Sequence, residues 1–320
     1  MKDRFQREID YIRISVTDKC NFRCRYCMPE EGVETIPHSE VLSFEEIVRV
    51  VSVLSELGIK KVKITGGEPL VRRDICTLIQ KMAKISGMED ITLTTNGFLL
   101  GEMAEQLKRA GIRTINVSVD TLNRREFADI CRRDGLDQVL DSIERAKNLG
   151  LEIRINTTVS EESNLKELFE LLEYFVNRDI PVRFIELMPI GCGHGSRVKN
   201  QDLQKMLKKR YPDFVRSNFS GNGPAIYYTF GKNKKVGFIS AVHNKFCESC
   251  NRIRLSCDGK IKPCLASSLS YDIKAVLRSG GDDKKLKESL EQAIFYKPLE
   301  HHFGKEQSGC IKNTMNQIGG

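Results

Sequence analysis

Apolar and polar positions follow two alternating patterns along the first two-thirds of the chain. Short runs rich in Ile, Val and Thr predict strands, and longer segments with apolar residues three or four positions apart predict amphipathic helices. The predicted strands are Tyr11–Val16, Lys60–Thr65, Asp90–Thr95, Arg113–Val119, Glu152–Val159 and Pro181–Leu187. The predicted helices are Ser43–Leu57, Asp74–Ile85, Glu102–Ala110, Asp137–Leu149 and Leu165–Val176.

The helix at 43–57 carries the clearest local signals. Ser43 and Glu46 have the spacing of a capping box, and Gly58 follows the last periodic apolar residue. Successive strand–helix units predict a parallel sheet with right-handed crossovers. The six units are two fewer than a closed barrel contains. We therefore predict an α/β fold, a partial (β/α)6 TIM-like barrel, with a doubly wound sheet as the alternative.

The pattern changes after about residue 215. Ser217–Pro224 is polar and glycine-rich and predicts a linker. Short strands are predicted at Ala225–Phe230 and Val236–Ile239, followed by helices at Tyr271–Arg278 and Asp283–Phe295. We therefore expect a barrel at 1–216 and a C-terminal extension at 217–320.

Composition and charge narrow the class of protein. The chain has 320 residues, 40% of them hydrophobic, and a net charge of +8 that suits an anionic substrate. Lys and Arg are interleaved with acidic residues and form no basic tail, so we expect no nucleic-acid partner. The chain shows no signal segment and no apolar run of membrane-spanning length. We expect a cytoplasmic enzyme without a membrane partner.

Two groups of three cysteines lie about 220 residues apart. The first triad consists of Cys20, Cys24 and Cys27, with the spacing C-x3-C-x2-C. The second triad consists of Cys247, Cys250 and Cys264, with the spacing C-x2-C-x13-C. Three thiolates are one fewer than a closed zinc site needs, whereas on a 4Fe–4S cluster they leave one iron open. A zinc site is an alternative for either triad, because His38 and His243 could supply a fourth ligand. The other cysteines are expected to be core or surface thiols, at positions 76, 131, 192, 257 and 310.

Further polar motifs follow the predicted strands, at the barrel end where chemistry gathers. Gly66-Gly67 comes after the second strand and would permit close backbone approach by a ligand. Arg252 and Arg254 share one face of an extended segment beside Cys250. A solvated face is the commoner fate of such a pair, but the nearby cysteines favour a phosphate site, since guanidinium groups bind phosphate bidentately.

These motifs together resemble the GTP 3′,8-cyclase family of radical S-adenosylmethionine enzymes. The resemblance covers essentially the whole chain, and the second triad, Arg252-Ile253-Arg254 and the terminal Gly319-Gly320 are its most specific parts. The other matching segments are Arg13–Asp18, Met28-Pro29, Ile64–Leu70, Leu93–Gly97, Asn116–Asp120 and Arg183–Pro189.

The resemblance implies a set of ligands and the residues that bind them. Each triad would hold a 4Fe–4S cluster, with S-adenosylmethionine on the first and the guanine of GTP facing the second. S-adenosylmethionine would be contacted by Tyr26, Gly67, Ser118 and Met188. GTP would be contacted by Arg13, Lys61, Lys63, Thr94, Arg154, Arg183, Arg252 and Arg254. The catalytic set would be Arg13, Arg252, Arg254, Gly319 and Gly320. Lys63 and Arg154 stand where the family usually has Arg and Lys.

The resemblance also implies a reaction and partners. Reductive cleavage of S-adenosylmethionine would give a radical that removes hydrogen from C3′ of GTP, after which C3′ attacks C8. The product would be (8S)-3′,8-cyclo-7,8-dihydroguanosine 5′-triphosphate, in the first step of molybdenum cofactor biosynthesis. A flavodoxin or ferredoxin would supply electrons, cyclic pyranopterin monophosphate synthase would take the product, and a homodimer is expected by analogy. The alternatives are a two-cluster radical enzyme acting on a peptide or RNA, and a zinc-stabilised interaction domain.

Overall fold

The computed structural model describes residues 1–160, 163–193, 198–219, 221–301, 303 and 314–318. Within these ranges, twelve strands form one sheet. The strands are β1 (Tyr11–Ser15), β2 (Lys61–Thr65), β3 (Asp90–Thr95), β4 (Thr114–Ser118), β5 (Glu152–Val159), β6 (Val182–Glu186), β7 (Val215–Arg216), β8 (Ile226–Phe230), β9 (Lys234–Ile239), β10 (Arg252–Leu255), β11 (Lys260–Lys262) and β12 (Tyr271–Asp272).

Helices connect the parallel strands and follow the last of them. They are α1 (Phe44–Glu56), α2 (Ile75–Ala83), α3 (Leu100–Ala110), α4 (Arg124–Cys131), α5 (Leu136–Asn148), α6 (Leu165–Val176), α7 (Asn200–Arg210), α8 (Ile273–Arg278), α9 (Asp283–Phe295) and α10 (Met315–Ile318). The capping box predicted for α1 is confirmed: the Ser43 hydroxyl accepts from Glu46 N at 3.1 Å, and Ser43 N donates to the Glu46 carboxylate at 2.7 Å. Among the described residues, no helix is both long and apolar enough to cross a membrane.

The strand order is β12-β11-β10-β1-β2-β3-β4-β5-β6-β9-β8-β7. Strands β1 to β6 are parallel, as predicted for the partial barrel. The C-terminal region then extends both sides of this set, since β10 pairs in parallel with β1 and β9 pairs in parallel with β6. An uncovered strand edge is a pairing hazard, and the C-terminal strands cover both edges of the six-stranded set.

The two faces of the barrel strands carry different side chains. On β1, Ile12 and Ile14 belong to the apolar core beneath the helices, where α1 contributes residues such as Leu54. Tyr11 and Arg13 alternate with them and line the barrel interior. This period of two places charged and polar groups inside the barrel and the apolar layer outside it.

Candidate active site

A cavity of about 330 Å³ lies inside the partial barrel, and both cysteine triads line it. The strand alternation and the loops after the strands bring ten further predicted ligand residues to its wall. These residues are Arg13, Tyr26, Lys63, Gly67, Thr94, Ser118, Arg183, Met188, Arg252 and Arg254. Gly319 and Gly320 lie outside the described residues.

The loop that carries the first triad is held against the Gly66-Gly67 turn after β2. Gly67 N donates to Thr17 O at 2.7 Å, and Glu68 N donates to Lys19 O at 2.8 Å. A Cβ atom on Gly67 would lie 2.3 Å from Lys19 O, so no larger residue fits without a backbone shift. The glycines do line the cavity, but the closest approach that requires them is made by the triad loop of the chain itself.

The opposite side of the triad loop rests on the end of α4. Arg23 N donates to Cys131 O and Arg25 N donates to Ile130 O, both at 3.0 Å. The loop also fixes Tyr26, whose hydroxyl donates to an Asp120 carboxylate oxygen at 2.6 Å. The first triad is therefore held from two sides by main-chain hydrogen bonds, and the aromatic ring beside it has a defined orientation.

Cys20 and Cys27 of the first triad are half-buried, and the pKa of each thiol is raised. Burial raises the pKa of Cys20 to about 12, and burial followed by the neighbouring Cys24 and Cys20 thiols raises the pKa of Cys27 well above its ordinary value. Burial disfavours the charged thiolate form unless a positive charge lies nearby. A bound metal centre supplies that charge, and thiols that coordinate it are deprotonated.

The arrangement of the triads distinguishes a cluster from a single ion. In the described part of the chain, no three His, Cys, Asp or Glu side chains converge on one ion-sized site. A 4Fe–4S cluster distributes its cysteines over different irons, so it does not require such convergence. His38 and His243 do not line the cavity, and His243 Nδ1 lies 3.3 Å from the Glu186 carboxylate. The two histidines predicted as possible zinc ligands therefore do not accompany the triads, although His301 lines the cavity, and the three-thiolate sets suit iron–sulfur clusters.

A residue of the N-terminal segment, distant in sequence, forms a direct hydrogen bond to the second triad. Cys247 begins a short 3-10 turn that Cys250 follows, and the Arg7 guanidinium donates to Cys247 O at 2.8 Å. Arg7 also donates to Leu299 O at 2.8 Å and forms a buried ion pair with Asp3 at 2.6 Å. The sequence analysis did not single out Arg7, because no local pattern indicates a contact across 240 positions.

Lys297 is a second residue that sequence reasoning missed. It follows α9, is 2% exposed and lines the cavity. Its ammonium donates to Arg252 O at 2.8 Å and to Pro263 O at 2.6 Å. Burial acts to raise the pKa of the nearby Cys250 thiol, but Lys297, Arg252 and a backbone N–H together hold that pKa below its ordinary value.

Strand register gathers cations on one side of the cavity. Arg13 on β1 lies opposite Lys63 on β2 and opposite Arg254 on β10. Burial lowers the pKa of each of these side chains, and neighbouring cations add to the effect. Glu186 is the only acidic side chain among the described residues that line the cavity, and it already accepts from Val242 N at 3.0 Å. The cavity wall therefore has an excess of positive charge that favours a polyanion.

Buried donors on this wall point to a ligand that accepts hydrogen bonds. Arg183 donates to the Asn116 side chain through Nη2, but its Nε, like the Nε of Arg252, is buried without a hydrogen-bond partner among the described residues. A buried donor without a partner costs free energy. Phosphate oxygens supply such acceptors in the bidentate geometry that guanidinium groups prefer.

Two of the cations assigned to GTP do not line the cavity. The Lys61 ammonium pairs with Asp10 at 2.7 Å. Arg154 pairs with Glu152 at 3.4 Å, and its guanidinium lies 5.7 Å from the centre of the Phe219 ring. Lys61 therefore has an acidic partner outside the cavity lining, whereas Arg154 lies close enough to the wall to lower the pKa of Lys63 and of Arg183.

The described end of the chain reaches the cavity. Met315 and Asn316 of α10 line it, and the buried Asn316 amide donates to Asp18 O at 3.0 Å. Asp18 precedes the first triad by two residues, so α10 is attached to the triad loop. Gly319 and Gly320 follow the last residue of α10 along the chain.

The cysteines outside the triads have different surroundings. Cys131 and Cys257 are buried, whereas Cys76 and Cys192 are half-buried. A hydrogen bond with Cys24 and burial raise the pKa of Cys131, so this thiol contacts the first triad in a way that its sequence position did not indicate. Cys310 lies outside the described residues.

Two family models match the chain. The model described as Radical SAM superfamily matches residues 14–175, and the model described as Molybdenum Cofactor Synthesis C matches residues 180–303. The first therefore runs from the end of β1 to α6 and includes β2 to β5, and the second covers β6, the strands at both edges of the six-stranded set and the second triad.

The chain is also similar to curated proteins over its full length. A protein named GTP 3′,8-cyclase from Desulforamulus reducens is 42% identical over 100% of both chains. A protein of the same name from Syntrophomonas wolfei is 42% identical, again over 100% of both chains.

Solved structures share the fold at low sequence identity. Streptococcus suis SuiB bound to the precursor peptide SuiA is 16% identical, with a TM-score of 0.63 over 98% of this chain and 71% of the other. The structure of anSMEcpe with bound AdoMet is 18% identical, with a TM-score of 0.61 over 92% of this chain and 82% of the other. At these identities the likeness concerns the fold alone.

Proposed function

Because the chain belongs to the GTP 3′,8-cyclase family of radical S-adenosylmethionine enzymes, we propose that it cyclises GTP in the first step of molybdenum cofactor biosynthesis. The product is (8S)-3′,8-cyclo-7,8-dihydroguanosine 5′-triphosphate. The observation that carries the proposal is the shared cavity: both triads line it, and buried guanidinium groups lie on its wall. A nucleoside triphosphate bound there would contact the cations in the cavity that both triads line.

The triads supply the sites for the cofactors. Cys20, Cys24 and Cys27 would hold one 4Fe–4S cluster, and the second triad would hold the other. When bound, the first cluster and S-adenosylmethionine supply one-electron chemistry that removes a hydrogen atom from an unactivated C–H bond. The chain itself contributes the binding, orientation and burial that direct this chemistry to one carbon.

S-adenosylmethionine binds between the loops at the carboxyl ends of the strands in this proposal. Gly67 offers main chain without a side chain, and Ser118 and Met188 lie on the cavity wall. Tyr26 is fixed by its hydrogen bond to Asp120, so its ring contacts the cofactor without a loss of side-chain freedom on binding.

The cationic wall orients the substrate. Arg13, Lys63 and Arg254 bind the triphosphate together with Arg183, Arg252 and Thr94, and Arg154 contributes charge from outside the cavity lining. Holding the phosphates fixes the ribose, which matters because a small displacement of the reacting carbon is costly to the rate. Gly319 and Gly320, which follow α10 along the chain, complete the catalytic set in this proposal.

Several wider features belong to the same proposal. A flavodoxin or ferredoxin delivers the electrons, and cyclic pyranopterin monophosphate synthase receives the product. The enzyme is cytoplasmic and acts as a homodimer. The chain divides at 216/217 into a barrel region and a C-terminal region that carries the second cluster and much of the GTP site.

The proposal is tested with GTP deuterated at C3′ and anaerobically reconstituted enzyme. We expect deuterium in the 5′-deoxyadenosine and a product with the mass of the cyclised triphosphate, whereas Cys24→Ala forms neither. Cleavage of S-adenosylmethionine with no deuterium transfer from GTP contradicts the proposal. It would favour the alternative substrates, a peptide or RNA.

A further inference from the structure

Lys297 is a buried lysine of the cavity wall that is not a cluster ligand. Its ammonium is buried, and a buried charge is costly unless hydrogen bonds compensate it. The ammonium has three N–H donors. Two of them donate to Arg252 O at 2.8 Å and Pro263 O at 2.6 Å.

These acceptors belong to the two chain segments that carry the second triad. Arg252 lies two residues after Cys250, and Pro263 immediately precedes Cys264. The antiparallel ladder between β10 and β11 pairs Arg254 with Lys262 and ends there. Continuing its register would place Arg252 opposite Cys264, where the strands no longer pair. The Lys297 ammonium therefore joins the two segments at the point where main-chain pairing stops.

The same ammonium places a positive charge between the segments that carry Cys250 and Cys264. Hydrogen bonds to cluster sulfurs and the charge around a cluster set its reduction potential, and residues that orient ligands affect metal affinity as well. We propose that Lys297 is a positioning residue of the second cluster, which fixes the separation of the Cys250 and Cys264 segments and raises the cluster's reduction potential. This inference rests on the proposed function, because it requires the second triad to hold a cluster.

Lys297 also lines the cavity, so direct binding of a GTP phosphate is the competing role. The two roles make different predictions. A phosphate ligand changes GTP affinity and leaves the cluster alone, whereas a positioning residue changes the cluster in the absence of any nucleotide.

The test uses full-length protein with Cys24→Ala, so that the second cluster is measured by itself. Lys297→Met keeps the apolar stem and removes the ammonium, and Lys297→Arg keeps the charge. Lys260→Met, which removes a half-exposed lysine of β11 paired with Asp258 at 2.7 Å, is the matched control. Iron content, loss of iron to a chelator and the midpoint potential are measured without GTP, and GTP affinity is measured separately.

We expect Lys297→Met to lower the midpoint potential and to weaken retention of the cluster by about ten- to a hundredfold, with Lys297→Arg intermediate and Lys260→Met unchanged. A Lys297→Met cluster with unchanged potential and retention contradicts the inference, whether or not GTP binding weakens. If the Cys24→Ala protein with an unaltered Lys297 binds no iron, the second triad holds no cluster and the proposed function itself is contradicted. Failure of the proposed function is thereby distinguished from failure of the inference on Lys297.

Discussion

Arg13, Lys63 and Arg254 show how the site depends on its ligand at the level of single residues. They occupy matching positions on three neighbouring strands, where Arg254 is buried and Arg13 and Lys63 are half-buried. Like charges repel one another strongly where the local dielectric constant is low. An anion that neutralises these three cations therefore binds more tightly than one that pairs with a single exposed cation. A triphosphate meets this requirement, whereas a neutral nucleoside does not.

Replacing Arg254 tests this account of the wall. A charge-assisted hydrogen bond contributes about 1.5–3 kcal/mol, so Arg254→Ala should weaken GTP binding by about one to two orders of magnitude. Iron content should be unchanged, because Arg is not a cluster ligand. Calorimetric titration of the reconstituted protein with GTP and with guanosine measures the effect.

The control for Arg254→Ala is Arg278→Ala, which removes an exposed guanidinium paired with Glu46. That control should bind GTP normally. Guanosine should bind weakly to the unaltered protein and respond little to either substitution. Equal weakening of guanosine and GTP by Arg254→Ala would place this side chain away from the phosphates.

Gly67 tests how the first triad is positioned. In Gly67→Ala the new Cβ would meet Lys19 O at 2.3 Å, and a backbone atom cannot move aside as a flexible side chain does. Overpacking of this kind typically costs about 1–3 kcal/mol. We expect a lower free energy of unfolding and loss of iron from the first triad, measured by denaturant unfolding and iron analysis.

Gly223→Ala is the matched control, since a Cβ there would meet nothing within 4 Å. It should leave the free energy of unfolding and the iron content unchanged. If Gly67→Ala also leaves both unchanged, the Gly66-Gly67 turn does not hold the triad loop.

At the scale of elements, the C-terminal helix α10 offers a separable test. Its Asn316 is attached to Asp18 O beside the first triad, and the two glycines that follow carry no side chains to fill a crowded pocket. Deleting Gly319 and Gly320 should leave both clusters and GTP binding largely intact and stop cyclisation. Iron content, GTP affinity and product formation are measured on the same preparation.

Two other outcomes of the deletion would contradict a catalytic role for the tail glycines. A truncated enzyme that forms the cyclised nucleotide at the normal rate would show that the tail is an ordinary frayed end. Loss of iron or of GTP binding would instead assign the tail a structural role.

Elements with strong periodic patterns were predicted from the sequence and the others were not. Strands β3 and β5 and helices α6 and α9 have the predicted bounds, because each carries an unbroken apolar pattern. Helices α4 and α7 were not predicted. Helix α4 begins with an Asn123 cap whose side chain accepts from Arg125 N and Glu126 N, and α7 is rich in lysine and other polar residues. Packing against the barrel, which a local pattern does not report, stabilises both.

At the scale of the whole molecule, the C-terminal region is part of the barrel sheet. Strand β10 lies beside β1 and β9 lies beside β6, so the second triad is brought to the first by sheet pairing. The sequence indicated both triads through their spacing and the phosphate site through Arg252 and Arg254. It could not indicate Arg7 or Lys297, because the main-chain oxygens that they bind lie at least 240 positions from Arg7 and at least 34 positions from Lys297.

The central claim is that each triad holds a 4Fe–4S cluster facing one cavity. Its most direct test is the iron and labile sulfide content of anaerobically reconstituted protein, with Cys24→Ala, Cys250→Ala and, as a control, the buried non-triad thiol in Cys257→Ala. We expect about two clusters per chain in the unaltered protein and in the control, and about one in each triad variant. Zinc with no labile sulfide at both triads would contradict the account.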